Sequence, residues 1–354
     1  MKTGKSLQEM AIELDRREKS KVDYLVDTRA FSMTLTENTP VLSMDSKDCG
    51  WKASLQINDI AHRQIGQCLG IPAKYYDKMR AENTALLATN VNTWFKSAPD
   101  TRMVRTLDGT ARAFLSERYR RIDNAQVASA VLPIISSIPD ARVESCELTD
   151  SRMYLKVVNP RLTAEISKGD MVQSGIVISN SEVGMGSVAV APLIYRLVCS
   201  NGMIAADSKV RKYHVGRVNE ADNDYSIYRS ETIEADDHAF LLKVQDTVRA
   251  VVEHEIFNGI VSRMREAKEA KIDAKVVPQV VELTSKDYSI TDAESESILG
   301  YLIGGGDLSL YGLANAVTRH AQDVESYDRS TELETIGYRV MTMPGAQWRR
   351  INAI

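Results

Sequence analysis

The chain has 354 residues, of which 44% are hydrophobic and 26% are charged, and its formal net charge is −4. This composition is typical of a globular protein with one large core or two smaller ones. Proteins that bind nucleic acid with their whole surface are usually basic, so the acidic balance confines any such role to a local patch. Aromatic residues are only 6% of the chain, which argues against extensive base stacking.

The cysteines and the apolar runs indicate the compartment. The four cysteines are far apart and form no CxxC pair, which fits a reducing cytosol better than a zinc site or a disulfide framework. No run approaches the roughly 18 apolar residues that span a bilayer. We therefore expect a cytoplasmic protein that does not engage the membrane.

Signatures of catalysis are missing from the sequence. It contains no GxxxxGK[ST] loop to cradle a phosphate, and its histidines are not spaced to converge on a metal ion. No base is placed beside Cys199 or Ser200. We therefore expect no enzyme activity, no metal and no cofactor.

Two helical patterns occur within the first 82 residues. Residues 5–19 form an amphipathic pattern, a helical arm that either packs on its own domain or binds a partner. Residues 56–82 predict two short helices, with Asn58 as a cap and with Gly70 and Pro72 between them. Two helices joined by a short turn are also the outline of a DNA-reading motif.

Three β-hairpins are predicted next. The first spans 102–116, where Asp108-Gly109 suits a two-residue turn. The second joins 142–148 to 152–158, and the third joins 171–179 to 187–198 through the sequence NSEVGMG. Antiparallel strands with helices before and after them indicate an α+β domain.

The remainder of the chain has a helical period. An acidic connector around 219–237 precedes a long helix over 235–271, with a break expected near Asn258-Gly259. Thr291 and Glu294 form a capping box that opens a helix ending at Ile303, and another helix is expected over 309–325. We therefore divide the chain into a helical arm (1–21), an antiparallel β-sheet body with flanking helices (22–218), an acidic linker (219–231) and a helical C-terminal region (232–354).

The first hairpin is rich in arginine. A two-residue turn at Asp108-Gly109 would place Arg105 directly opposite Arg112, where like charges destabilise the sheet. A carboxylate such as Glu144 or Glu147 would offset them, or a nucleic-acid phosphate would. Phe114 shares their face and would either stack on a base or pack. The candidate binding residues in this stretch are Arg102, Arg105, Arg112, Phe114, Arg118, Arg120 and Arg121.

A second basic run follows the third hairpin and contains no acid. Its candidate binding residues are Lys209, Arg211, Lys212 and Tyr213. Local cationic stripes with occasional aromatic residues are what a groove for a single strand requires. The two runs together predict a polarised surface.

Several long stretches resemble a known family. They include IPAKYYDKM at 71–79, FLSERYRRIDN at 114–124, SNSEVGMGSVAVAPLIYRLVCSNGMI at 179–204 and YGLANAVTRHA at 311–321. They are similar to the domain of unknown function DUF932, a family of phage and plasmid genomes, over most of residues 24–340. The resemblance implies a genomic setting and carries over no catalytic residue.

The resemblance and the basic runs together suggest a function. We expect a phage- or plasmid-encoded protein that binds single-stranded nucleic acid, most simply DNA, and assists annealing in recombination or replication as a homo-oligomer. The alternatives are a host-interaction or anti-defence protein whose basic face meets an acidic partner, and a transcriptional regulator that uses residues 58–81.

Overall fold

The computed structural model describes residues 1–46, 51–205, 230–251 and 253–352. The fold contains two β-sheets, of six and five strands. Each sheet packs with helices around its own apolar core. Within the described ranges, no helix is both long and apolar enough to cross a bilayer. The α+β class predicted from the sequence is confirmed.

The first sheet is built from the N-terminal third of the chain. It is preceded by helix α1 (Leu7–Ser20), and its strands are β1 (Lys21–Asp27), β2 (Phe31–Thr36), β3 (Thr39–Ser46), β4 (Trp51–Ile57), β5 (Thr101–Leu107) and β6 (Thr110–Ser116). Their spatial order is β1-β5-β6-β4-β3-β2. The β5–β6 hairpin therefore lies between β1 and β4, and it pairs with β4 in parallel through Gln56 and Ile57.

Three helices cover one face of the first sheet: α2 (Asp59–Cys68), α3 (Ala73–Glu82) and α4 (Thr84–Ser97). Asn58 caps α2 by accepting a hydrogen bond from the Ala61 backbone, as its residue type predicts. The two short helices expected over 56–82 are therefore confirmed. Phe31, Phe95 and Phe114 lie at the centre of this core.

The second sheet is a meander with strands of up to fifteen residues. After helix α5 (Asn124–Ser137) come β7 (Arg142–Leu148), β8 (Met153–Ser167), β9 (Asp170–Asn180), β10 (Ala189–Arg196) and β11 (Asn201–Ile204). All neighbouring strands are antiparallel, in the order β11-β10-β9-β8-β7. The second and third predicted hairpins are confirmed, since Leu155 pairs with Cys146 and Ser179 with Ala189.

Both faces of the second sheet are apolar, because alternate residues point to opposite sides. Leu155 and Val157 face a core shared with α1, α5 and α6 (Ser230–Val251). Val158 and Val177 lie on the other face, in a cluster that includes Leu193. A sheet that is buried on two sides must be enclosed by helices, and the C-terminal helices supply the second cover.

The C-terminal helices pack around one central helix. They are α7 (His254–Glu269), α8 (Val277–Asp287), α9 (Asp292–Gly305), α10 (Leu310–His320), α11 (Tyr327–Met341) and α12 (Gly345–Asn352). Most of α10 is buried, so it serves as the axis of this group. The capping box of Thr291 and Glu294 is present at the start of α9, which confirms that prediction.

The predicted break of the long helix near Asn258-Gly259 is wrong. The helix instead divides between α6 and α7, where Glu253 is the extended N-cap residue of α7. Gly259 lies inside α7, where a glycine costs about 1 kcal/mol relative to alanine. Its neighbours Phe257 and Ile260 are buried in the C-terminal core, and that burial outweighs the cost.

Candidate ligand-binding cleft

Arg105 lies inside the protein rather than on a binding face. It pairs with Ala113 across the β5–β6 hairpin, because a bulge shifts the register there. The side chain is fully buried. The predictions that Arg105 opposes Arg112 and that it faces solvent are therefore wrong, and the bulge is the physical reason.

Three carboxyl and carbonyl groups surround the Arg105 guanidinium. Nε and Nη2 donate to the two Asp23 carboxylate oxygens at 2.9 and 3.0 Å, and Nη2 also donates to Asp123 at 2.6 Å. Nη1 donates to the carbonyl of Glu182 at 3.0 Å. Burial alone would lower the pKa of Arg105, but the hydrogen bonds and charges of Asp23 and Asp123 raise it. Arg105 is therefore a fully engaged cation.

Arg112 is the second buried guanidinium of the hairpin. Its Nη1 lies 2.7 Å from the Glu182 carboxylate, and the other oxygen of that carboxylate accepts the backbone N–H of Asn124. The carboxylates that offset the two arginines are thus Asp23, Asp123 and Glu182. Glu144 and Glu147, which we expected from the sequence, are engaged elsewhere, with Arg142 and Lys5.

Phe114 does not reach a surface where it could stack on a base. It is 3% exposed, and its ring centroid lies 5.5 Å from that of Phe31 and 5.8 Å from that of Phe95. Of the two roles that the sequence leaves open for Phe114, packing is the one that the structure supports.

The other arginines of the first basic run point in different directions. Arg102 pairs with Asp100, while Arg120 binds Asp236 and Asp237 of α6 at 2.9 and 2.6 Å. Arg118 is exposed, and Arg121 is 58% exposed and lies 3.8 Å from Asp23. The structure therefore does not bring these side chains together as one groove.

The second basic run cannot be compared with the first. Lys209, Arg211, Lys212 and Tyr213 lie outside the described residues. Their place in a polarised surface stays a prediction.

The buried arginines bind a loop, Asn180–Gly186. This loop connects β9 to β10 of the second sheet and also contacts the first sheet. Asn180 donates to the Ile122 carbonyl and to Asn124 on the α5 side. Glu182 binds both buried arginines of the first sheet, and the Val183 carbonyl accepts from Gln64 of α2. The loop is thus tied to the first sheet, to α2 and to α5.

This loop forms one wall of a cleft with a volume of about 1,100 Å³. The floor is the outer face of the second sheet, with the small or apolar residues Val177, Ser179, Ala189, Ala191 and Ile204. The walls are the start of α2, the β7–β8 turn, the end of the Asn180–Gly186 loop and α11. The cleft therefore lies where the first sheet, the second sheet and the C-terminal helices meet.

Two guanidiniums line the cleft without an ion-pair partner among the described residues. Arg63 of α2 donates only to the Asp59 carbonyl at 3.3 Å, and Arg152 of the β7–β8 turn donates to the Met185 carbonyl. Gly186 allows that approach, because a Cβ there would overlap the Arg152 guanidinium and its φ is +143°. Both cations keep donor groups for a ligand.

Most acids of the cleft already have donors. Asp59 is 2.8 Å from Arg80, whose hydrogen bond lowers the pKa of that carboxyl. Asp328 accepts from the Thr149 and Ser151 hydroxyls at 3.1 and 2.6 Å, while Glu332 pairs with Arg329 at 2.7 Å. Asp150 at the β7–β8 turn is exposed.

A buried hydroxyl and a buried ion pair lie along the α11 wall. Thr331 lines the cleft and is 9% exposed, and its Oγ1 has no hydrogen-bond partner among the described residues. Behind it, Lys156 and Glu334 form a fully buried pair at 2.5 Å, and the Tyr327 ring lies 4.6 Å from the Lys156 ammonium. This pair joins α11 to β8 of the second sheet.

Sequence reasoning missed the cleft because its residues come from segments that lie far apart in the chain, from α2 to α11. Arg63 and Arg152 stood in predicted helices and turns with no motif around them. One signal was present in the sequence. The connection NSEVGMG contains two glycines and a glutamate, and a simple hairpin connection requires none of these three residues. Among the described residues, no three His, Cys, Asp or Glu side chains converge as a metal site.

The comparisons with known proteins identify a family and no relative of established function. No curated protein and no solved structure matches the chain. The family model of the domain of unknown function DUF932 matches residues 113–335, which is more than half of the chain and includes the floor of the cleft and its α11 wall. The chain therefore belongs to the DUF932 family.

Proposed function

We propose that the chain binds single-stranded nucleic acid and that the strand lies in the cleft above the second sheet, not on the basic hairpin. The observation that carries the proposal is the pair Arg63 and Arg152. They are contributed by two distant segments, line one cleft, and have no carboxylate partner among the described residues. Guanidiniums with free donors suit phosphate oxygens, which they bind as a fork.

The dimensions and lining of the cleft also support an extended ligand. Its volume of about 1,100 Å³ slightly exceeds the roughly 300–1,000 Å³ of small-molecule pockets. Small side chains such as Ala189 and Ala191 on the floor allow a backbone or a base to approach the sheet. The Ser179 hydroxyl on the floor offers a hydrogen bond to a sugar or a phosphate.

The cleft is lined by three arginines and four carboxylates, so its attraction for a phosphate backbone is modest and depends on the two arginines that have no carboxylate partner among the described residues. Two unpaired cations contribute a smaller electrostatic term than the six to ten phosphate contacts of strong DNA-binding proteins. The second basic run, with Lys209, Arg211, Lys212 and Tyr213, is proposed to add to it. In a phage or plasmid setting, such a protein would bind exposed single strands during recombination or replication and leave their bases available for annealing, as a homo-oligomer.

The test is fluorescence anisotropy with labelled single-stranded DNA, RNA and duplex probes at several salt concentrations. The double variant Arg63→Ala/Arg152→Ala should weaken single-strand binding and reduce the slope of log K against log salt by roughly 0.7 per residue. The matched control is Arg161→Ala/Arg249→Ala, which removes the same charge from exposed ion pairs elsewhere. That control should bind like the wild type.

A third variant, Lys209→Ala/Arg211→Ala/Lys212→Ala, separates the two contributions. If it abolishes binding while the cleft variant binds normally, the cleft is not the site. If the wild-type chain binds none of the probes at low salt, the nucleic-acid function itself is refuted. Preference for duplex over single strands would favour a regulator that reads DNA with α2 and α3.

A further inference from the structure

Asp59 and Arg63 have the spacing that normally forms an ion pair on a helix. Asp59 is the first residue of α2, and Arg63 lies four residues later. Side chains at that spacing are neighbours on one helix face, and an acid that precedes a base is the favourable orientation of such a pair. Taken alone, α2 would therefore join the Asp59 carboxylate to the Arg63 guanidinium.

The structure shows a different arrangement. The Asp59 carboxylate lies 2.8 Å from Nη1 of Arg80, which belongs to α3. Arg63 stays beside the first turn of α2, where its Nε donates to the Asp59 carbonyl at 3.3 Å. Arg63 therefore contacts the backbone of Asp59, while Arg80 binds its side chain.

The Asp59 carboxylate is within the influence of both arginines. The hydrogen bond and the charge of Arg80 have the largest effects on its pKa, which they lower, and the charge of Arg63 has a smaller effect in the same direction. The Asp59 side chain is 74% exposed, so the surrounding protein does not hold it in place. Without Arg80, this carboxylate would be free to turn toward Arg63.

The two arginines differ in their relation to the cleft. Arg63 and Asp59 line it, whereas Arg80 is not among the described residues of its lining. Arg80 is connected to the lining by its bond to Asp59. An effect of Arg80 on a ligand in the cleft would therefore be transmitted through the Asp59 carboxylate.

We propose that Arg80 is a positioning residue, which binds Asp59 and thereby keeps the Arg63 guanidinium available for a phosphate of the bound strand. This inference rests on the proposed function of the cleft. A carboxylate and a phosphate bind the same fork of guanidinium N–H donors. Asp59 is thus a competitor of the ligand for Arg63, and Arg80 removes that competitor.

Fluorescence anisotropy with a labelled single-stranded DNA probe tests the competition. Arg80→Ala should weaken binding about two- to fivefold, because the freed carboxylate competes for Arg63 with the strength of an exposed ion pair. Adding Asp59→Asn to this variant should restore the wild-type affinity, since the competitor is then removed. The matched control is Arg161→Ala, which frees Asp140 from an exposed ion pair elsewhere and should bind like the wild type.

Variants in an Arg63→Ala background separate positioning from direct contact. Without Arg63, neither Arg80→Ala nor Asp59→Asn should change the affinity further. If Arg80 itself contacted the strand, Arg80→Ala would weaken binding in this background too, and Asp59→Asn would not rescue it in the wild-type background. A gain from Asp59→Asn without Arg63 would indicate a general charge effect. Each of these results would overturn the proposal.

The pKa of Asp59, followed by carbon-13 NMR, provides a test without ligand. In Arg80→Ala it should stay below its ordinary value, because Arg63 replaces the lost partner, and adding Arg63→Ala should raise it. An ordinary pKa in Arg80→Ala alone would refute the competition, even if the wild-type chain binds the strand. If the wild type binds no probe, the proposed function fails, whereas the titration still decides whether Arg80 keeps Asp59 from Arg63.

Discussion

Arg112 of β6 and Glu182 of the loop after β9 form an ion pair at 2.7 Å, with 8% and 7% of their side chains exposed. The pair joins the first sheet to the second across a separation of 70 residues. It also explains why an arginine-rich hairpin is compatible with an acidic protein. The arginines neutralise buried carboxylates at an internal junction.

The first prediction concerns that pair. Arg112→Met should lower the free energy of unfolding by about 3–5 kcal/mol, because it leaves the Glu182 carboxylate buried without its cation. The double variant Arg112→Met/Glu182→Gln should recover much of the loss, because it also removes the negative charge that Arg112→Met leaves buried at Glu182. Urea unfolding of the wild type, both single variants and the double variant measures the coupling. If the losses of unfolding free energy in the two single variants simply add up in the double variant, Arg112 and Glu182 do not interact directly.

The second prediction concerns Gly186 in the cleft wall. Gly186→Ala should displace the Arg152 guanidinium, which a Cβ would overlap, and should therefore weaken nucleic-acid binding. The control is Gly169→Ala, where φ is +82° but a Cβ would meet open space. That control should cost only about 1–2 kcal/mol of backbone strain and leave binding unchanged. Equal affinities of the two variants would show that Arg152 does not contact the ligand.

The third prediction concerns pH. His62 is 3% exposed and its Nδ1 lies 2.9 Å from the Tyr76 hydroxyl. Burial, aided by the charge of Arg80, lowers the pKa of His62 to about 4. In the unfolded chain that pKa is near 6.5, so between these values the unfolded state binds more protons. Stability should therefore fall as the pH drops from 6.5 toward 4.

The variant His62→Gln isolates this effect. Between pH 7 and pH 4.5, the wild type should lose roughly 2–3 kcal/mol more of its unfolding free energy than the variant does. Urea titrations of both proteins at the two pH values give the comparison. Parallel losses in the two proteins would show that another group is responsible for the acid sensitivity.

The fourth prediction separates a structural role from a binding role for Arg120. Its guanidinium binds Asp236 and Asp237 and lies 5.4 Å from the Phe240 ring centroid. Arg120→Ala should therefore increase amide hydrogen exchange at the start of α6, with little change in nucleic-acid affinity. Arg249→Ala, near the other end of α6, is the control for a general charge effect. Unchanged amide hydrogen exchange together with reduced nucleic-acid affinity would instead show that Arg120 contacts the ligand.

Local elements could be predicted from the sequence because their signals are local. Asn58 and the box of Thr291 and Glu294 cap their helices through contacts within three residues. The hairpins around 149–151 and 180–188 follow from alternation and turn residues. The break at Asn258-Gly259 was wrong because helix propensity is a weak signal that the burial of Phe257 overrides.

The site could not be predicted in the same way because its contacts are long-range. Arg105 and Arg112 are not paired across the hairpin because a β-bulge shifts the register, and the Asp108-Gly109 turn sequence does not predict that bulge. The partners of those arginines are 18 to 82 residues away. A run of arginines looks the same in sequence whether it faces phosphates or buried carboxylates, and only the position of Asp23, Asp123 and Glu182 distinguishes the two.

The interlocking of the two sheets also determines how the chain can be divided. The family match begins at residue 113, in the middle of β6, and a fragment cut there would lose β5 and the Arg112 side chain while keeping Glu182 as an unmatched buried acid. During synthesis, the first sheet stays incomplete until the β5–β6 hairpin enters between β1 and β4, and the Arg112 guanidinium lacks its carboxylate until residue 182 has been made. The boundary of the family match at residue 113 therefore cuts through β6 and does not coincide with a boundary between structural units.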